Sequence, residues 1–318
     1  MRGVILDRAS LDNGDLDFTS LETSLDDWSF FDLTNSDEVI DHLRGATVAV
    51  VNKAVINDRI MSEVPELDLI CVAATGTNNI DLDAARRRGI AVTNVTGYAT
   101  PSVVQHVFAL ILALRTRLPE YQRAVKAGRW QQSPFFCLLD YSITELDGQC
   151  MGIVGYGELG QGVARVAAAF GMEVIIAARP GDPDPPPGRL PLMDLLSRAD
   201  VVSLHCPLAD NTRNLVGPEQ LATMKKSALL INTARGGIVD ETALLRALED
   251  EQIGGAGIDV LAVEPPVDVS CLLKADRPNL VVTPHIAWAS VQSRQRLINE
   301  VARNIAAYQA GELRNRVV

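Results

Sequence analysis

Residues 151–170 place an apolar run, three glycines and an amphipathic stretch in an order that few folds accept. Met151-Gly152-Ile153-Val154 reads as a buried strand, Gly155-Tyr156-Gly157-Glu158-Leu159-Gly160 as a tight turn, and residues 158–170 as a helix. Strand, G-x-G-x-x-G turn and helix in this sequence form the dinucleotide-binding unit of a doubly wound α/β sheet. Gly155 permits the turn, Gly157 lets the backbone approach a pyrophosphate, and Gly160 allows the helix to pack closely on the strand. The unpaired N–H groups at the helix start suit the diphosphate. Glycines alone would be weak evidence, because many turns contain them and bind nothing; the flanking strand and helix supply the specificity.

The turn also lies late. Its strand begins near residue 151 of 318, so the residues before it need a sheet of their own. Short β-rich runs at 3–6, 47–52, 67–72 and 90–94 alternate with helical patterns at 36–43 and 81–88, and an apolar helix follows at 101–117. After the turn, strands are expected at 173–178, 201–204, 228–232, 256–260 and 280–283, with helices near 191–198, 218–224 and 240–250. The proline cluster 182–187 reads as a surface loop, and an amphipathic helix at 291–309 closes the chain. Such alternation predicts an α/β protein with two doubly wound parallel-sheet domains.

Composition narrows the function. Hydrophobic residues make up 47%, enough for two cores, yet no uninterrupted apolar stretch approaches a membrane span. The net charge of −11 argues against a nucleic-acid surface, so anionic ligands must be held by particular residues or helix ends. Residues 1–7 read as a first strand, without the apolar region of a signal peptide. Five cysteines with no C-x-x-C pair support neither a disulfide framework nor a metal site, and the expected compartment is the cytoplasm.

An acid at the end of the second strand normally accepts from the adenosine ribose. Here that strand ends Ala177-Ala178-Arg179, which removes the acceptor and offers a cation to a 2′-phosphate. The expected cofactor is therefore NAD(P), tilted towards NADP(H), unless Asp182 or Asp184 serves the ribose from the loop. Reducing a 2-keto acid further requires a carboxylate anchor, a proton donor and a group that holds the donor protonated. Arg235, Glu264 and His285 each follow an expected strand, where ligands of doubly wound sheets bind. Arg235 precedes two glycines, which imply close backbone approach, and His285 follows Pro284. Of the other histidines, His42 and His106 fall in helices, the latter as a core residue, and His205 is placed to line the adenine side. Glu264 can equally be read as a loop charge.

At these residues the chain resembles the D-isomer-specific 2-hydroxyacid dehydrogenases, most closely their glycerate dehydrogenase/hydroxypyruvate reductase branch. The matching segments are residues 152–160, Asn232-Thr233-Ala234-Arg235-Gly236-Gly237, Gly257-Ile258-Asp259-Val260 with Glu264-Pro265, and Thr283-Pro284-His285. Residues 73–81 and 97–103 look like that branch's substrate loop and interdomain segment. The resemblance implies that Arg235 binds the substrate's carboxylate and carbonyl, that His285 is the general acid/base, and that Glu264 stabilises the charged imidazole. It assigns Asp259 to the nicotinamide carboxamide, Thr233 and Ala234 to the cofactor-facing backbone, and Cys206-Pro207 to the adenine cover. The N–H groups of Thr75 and Gly76 are assigned to the substrate carboxylate.

The family's architecture further implies a Rossmann cofactor domain (99–286) inserted into a flavodoxin-like substrate domain (1–98 with 287–318), and a homodimer that the segment around Phe135 and Phe136 helps to form. Ala178, Gln105 in place of a common glutamate, and Trp288 beside His285 are departures or open positions. Trp288 either walls the site or packs in the core. The expected activity is hydride transfer between NAD(P)H and a small 2-keto acid, with hydroxypyruvate and D-glycerate the leading pair. Glyoxylate, lactate-like acids or phosphite are the alternatives, and a non-catalytic dinucleotide sensor is the rival from another class.

Overall fold

A computed structural model of the chain describes residues 1–182, 184–267 and 270–318. Pro183, inside the expected proline loop, lies outside the described residues. The chain forms two compact units, Met1–Ala99 with Ala289–Val318, and Thr100–Trp288.

The first unit holds five parallel strands: β1 (Arg2–Ile5), β2 (Asp27–Phe30), β3 (Val48–Val51), β4 (Leu69–Val72) and β5 (Ala91–Thr93), in the order β2-β1-β3-β4-β5. This is the flavodoxin-like order. Every residue of β3 (VAVV) and β4 (LICV) is buried, as strands covered on both faces require. β2 was not expected from the sequence. Its Asp-Trp-Ser-Phe is a short edge strand, half-buried, and too brief for a periodic signal. The helix Leu82–Arg88 is bounded by its own sequence: the Asp81 side chain accepts from Ala84 N, and Gly89 leaves at φ +73°. Helix Val291–Gln309 returns to this unit, where Arg294 pairs with both oxygens of Asp15 at 2.7 Å and Asn304 donates to the Asn94 carbonyl. At the switch point between β1 and β3, the buried Asp7 carboxylate accepts from the N–H groups of Asn52 (2.9 Å), Lys53 (2.5 Å) and Ala54 (2.9 Å).

The second unit carries β6 (Cys150–Val154), β7 (Glu173–Ala177), β8 (Arg189–Leu190), β9 (Val201–Leu204), β10 (Leu229–Asn232), β11 (Gly255–Ile258) and β12 (Leu280–Val282). All are parallel, in the order β12-β11-β10-β9-β6-β7-β8, with the reversal between β6 and β9. That is the Rossmann arrangement. β8, two residues long, is the strand of this sheet that sequence reading missed. The apolar helix runs Thr100–Arg115 and stops short of the expected residue 117. Arg117 turns to φ +54° and starts a separate helix, Leu118–Lys126. The buried Arg115 guanidinium bonds the carbonyls of Ser227 and Asp200, tying this helix to the amino edge of the sheet. Among the described residues no helix is long and apolar enough to cross a membrane, and no cluster of metal-ligating side chains occurs.

Two of these features set stability. Asp7→Ala strips three backbone N–H groups of their acceptor at once and should cost on the order of 2–4 kcal/mol, read as a lowered urea midpoint. At the end of β9, His205 bonds Ser203 Oγ through Nε2 (2.9 Å), while its Nδ1 is sealed without a partner. Burial pushes this imidazole down to about 4 from the usual 6.5. The unfolded chain therefore takes up the proton near pH 6.5 and the folded chain only near 4, so stability is whole above 6.5 and falls as pH drops through that window. Thermal unfolding of wild type and His205→Gln from pH 7 to 4 should show a steeper loss in the wild type; parallel curves would refute this.

Candidate active site

The glycine turn leaves β6 and enters the helix Glu158–Ala169. Gly155 sits at φ +94°, and a Cβ there would press into the backbone of His205 and Cys206. A Cβ at Gly160 would collide with the Gly155 carbonyl. Those two glycines are demanded by the protein's own packing. At Gly157, by contrast, nothing lies within 4 Å of a built Cβ, so this exposed position is open to a ligand. Gly157 starts the helix without a side-chain cap, leaving the first-turn N–H groups available to an anion. Glu158 accepts the Thr100 hydroxyl at 2.5 Å, and Leu159 is half-buried beside it.

The neighbouring strand ends complete the cradle. Cys206 is buried behind Gly155, and the Pro207 carbonyl accepts from Thr212 Oγ1. Beyond β10, Thr233 Oγ1 is buried with no partner, and the N–H of Ala234 is held by Asn232 Oδ1 at 3.1 Å. An open glycine, a free helix start and an orphaned hydroxyl at one sheet edge fit a dinucleotide. Arg179 is exposed in the loop after β7, with no hydrogen-bonding or charged partner for its side chain among the described residues. Asp182, the alternative ribose acceptor, uses Oδ1 to receive Asp184 N (3.1 Å) within its own turn.

The other three candidates follow β10, β11 and β12. His285 Nδ1 and Glu264 Oε2 are 2.6 Å apart, each side chain about one-third exposed. Glu264 is fixed from behind, since its Oε1 accepts Leu261 N at 2.7 Å. With Nδ1 engaged, His285 Nε2 keeps no hydrogen bond among the described residues and is available to a substrate. The loop around it is over-determined: His285 stands at φ +55°, its N–H donates to the Asp259 carbonyl (2.7 Å), and its own carbonyl accepts Trp288 Nε1 (3.0 Å). Trp288 thus pins the histidine's backbone.

Arg235 is exposed, bonded to the Ala234 carbonyl, and without a carboxylate partner among the described residues. The glycine after it has a geometric cause, because a Cβ at Gly236 would run into the Leu261 carbonyl. The arginine loop and the glutamate loop therefore abut through Gly236 and Leu261. Asp259 is buried: Oδ1 accepts Thr283 Oγ1 (2.5 Å) and Ile286 N (3.0 Å), and Oδ2 accepts Ala287 N (2.8 Å). The Asp259 side chain has no exposed surface. His106, expected as a core histidine, reaches Thr283 Oγ1 at 2.9 Å and joins this network. Sequence carries no signal for that contact, which spans 177 residues. In the first unit, Thr75 is exposed in the loop after β4, its hydroxyl on the Val95 carbonyl (2.8 Å) and its own carbonyl on Asn94 Nδ2 (2.7 Å). The N–H groups of Thr75 and Gly76 meet no protein acceptor among the described residues.

The chain is similar in sequence and fold to known proteins. Residues 108–287 match the D-isomer specific 2-hydroxyacid dehydrogenase, NAD binding domain. The chain is 44% identical to a glycerate dehydrogenase of Methylorubrum extorquens, covering 98% of this chain and 97% of that one. It is 35% identical to a hydroxypyruvate reductase of Blautia hydrogenotrophica, covering 98% of both. The solved TT0316 protein of Thermus thermophilus superposes over 100% of both chains with a TM-score of 0.87 at 34% identity. Two doubly wound parallel sheets, a dinucleotide turn and these matches lead to one conclusion: the chain belongs to the D-isomer-specific 2-hydroxyacid dehydrogenase family.

Proposed function

We propose that this enzyme interconverts hydroxypyruvate and D-glycerate with a nicotinamide cofactor, NADP(H) in preference to NAD(H). The observation that carries the chemistry is the His285–Glu264 pair, which orients an imidazole with Nε2 free. When bound, the nicotinamide supplies the hydride in reduction and receives it in oxidation. His285 Nε2 gives its proton to the carbonyl oxygen of the acid, or takes it back from the alcohol in reverse. Glu264 offsets the charge of the imidazolium and holds the ring's orientation. Arg235, free of any carboxylate partner among the described residues, takes the substrate's own carboxylate and polarises its carbonyl.

Thr75 and Gly76 offer main-chain N–H groups to an acid's carboxylate, and Gly155 through Gly160, Arg179, Cys206, Pro207, Thr233, Ala234 and Asp259 hold the dinucleotide. The glycerate dehydrogenase and hydroxypyruvate reductase relatives, both matched over almost their whole length, support the substrate pair. The domain roles follow: residues 100–288 take the cofactor, and the discontinuous unit serves the acid. Five free cysteines suit a reducing cytoplasm. Phe135 (73% exposed), Phe136 (90%) and Leu139 (86%) form an apolar display in keeping with a homodimer.

Loss of reduced-cofactor absorbance on adding hydroxypyruvate tests the activity. We expect His285→Ala to lower kcat by roughly 10²–10⁴-fold, and Arg235→Ala to lower kcat/KM by about 10²–10³-fold. Near-full turnover in either variant would refute the assignment. Faster turnover of glyoxylate than of hydroxypyruvate would displace the substrate pair, and silence across 2-keto acids would favour a sensor.

A further inference from the structure

Beside the carboxyl end of β7, one cation stands where sequence reading placed none. Arg189 begins β8, and the register Ile176↔Arg189 sets it opposite the penultimate residue of β7, just before Ala177 and Ala178. Its guanidinium lies over the ring of Tyr156, 4.7 Å from the centroid. Tyr156 is the second residue of the glycine turn, so this stack bridges the pyrophosphate turn and the edge that normally carries the ribose acid. Stacking uses the flat face of a guanidinium and leaves its N–H edges pointing outward in the plane. Among the described residues those edges meet no hydrogen-bond acceptor and no carboxylate.

Arg179 is the second unsatisfied cation nearby, in the loop that starts two residues after β7. That loop is anchored by Asn211 Nδ2 on the Pro180 carbonyl (3.2 Å). The acids of the same loop do not answer either arginine: Asp182 turns Oδ1 to the N–H of Asp184, and neither forms an ion pair among the described residues. Two guanidiniums without counter-ions, in a chain of net charge −11, flank the position where Ala178 offers nothing to a ribose hydroxyl. A phosphomonoester, with its several acceptor oxygens and its double charge, is the ligand chemistry that satisfies both.

We infer that Arg189, held flat on Tyr156, forms with Arg179 a two-armed site for the 2′-phosphate of the cofactor's adenosine. This rests on the NADP(H) preference proposed above and gives it a second determinant. Arg189 touches the cofactor's phosphate and takes no part in proton transfer. Tyr156 is a positioning residue that sets the plane of the guanidinium.

Binding of adenosine fragments tests this without turnover. Calorimetric titration of the full chain with adenosine 2′,5′-bisphosphate and with adenosine 5′-monophosphate gives a ratio of affinities that reports the 2′-phosphate alone. We expect the bisphosphate to bind at least about tenfold tighter to the wild type, and Arg189→Gln to reduce that ratio by roughly tenfold while the monophosphate stays within about twofold. Tyr156→Leu should lower the ratio as well, and Arg189→Lys should only partly preserve it, because an ammonium cannot stack and donate in one plane. A wild-type ratio in Arg189→Gln, with the ratio lost in Arg179→Gln, would overturn the role of Arg189 and leave the cofactor preference standing. A ratio near one in the wild type would remove the preference itself.

Discussion

The buried carboxylate of Asp259 is the contact on which the arrangement of the site depends. A carboxylate removed from water is tolerated only if its oxygens are bonded. Here the donors are Thr283 Oγ1 and the N–H groups of Ile286 and Ala287, all from the segment after β12. Satisfying Asp259 therefore wraps that segment around the end of β11. His285 lies in the middle of it, further tied by its N–H to the Asp259 carbonyl, and the wrap is what keeps it at φ +55°. His106, on the helix Thr100–Arg115, closes the network through Thr283. The imidazole is thus aimed by a backbone that has few alternatives.

Parallel pairing does the remaining assembly. β10, β11 and β12 are consecutive neighbours, so the loops after them emerge side by side even though Arg235, Glu264 and His285 span fifty residues of chain. Gly236 makes the first two loops abut, since any side chain there would displace Leu261, whose N–H holds Glu264. In an acidic protein, three cations at these strand ends are left without a counter-ion among the described residues. Arg235, Arg179 and Arg189 carry no carboxylate partner among the described residues, whereas arginines such as Arg294 and Arg88 are consumed by ion pairs. The same switch-point logic holds in the first unit with the opposite outcome: there Asp7 fills the backbone N–H groups after β3, and the protein supplies its own anion.

What could be read from sequence was what local chemistry dictates. VAVV, LICV and LLIN announce strands buried on both faces, and Gly155 and Gly160 of the dinucleotide turn are required by contacts within or beside that turn. Three strand-end residues could be named because a parallel sheet places ligands there. The rest depended on contacts between distant residues. β2 and β8 are short edge strands whose existence is decided by the neighbours they pair with. Arg117 ends the apolar helix at φ +54°, and Pro119, in the first turn of the helix that follows, is a local start signal that the expected span to residue 117 passed over. Arg189 belongs to no sequence motif, and its place over Tyr156 follows from the pairing of β8 with β7.

The central claim is that Glu264 acts through His285, so the two should behave as one unit. A double-mutant cycle with His285→Ala, Glu264→Ala and the pair, scored on kcat/KM for hydroxypyruvate at saturating cofactor, measures this most directly. The account predicts that adding Glu264→Ala to His285→Ala costs little further activity, because the carboxylate has lost the group it serves. Losses that simply multiply would contradict it, showing that each residue contributes on its own.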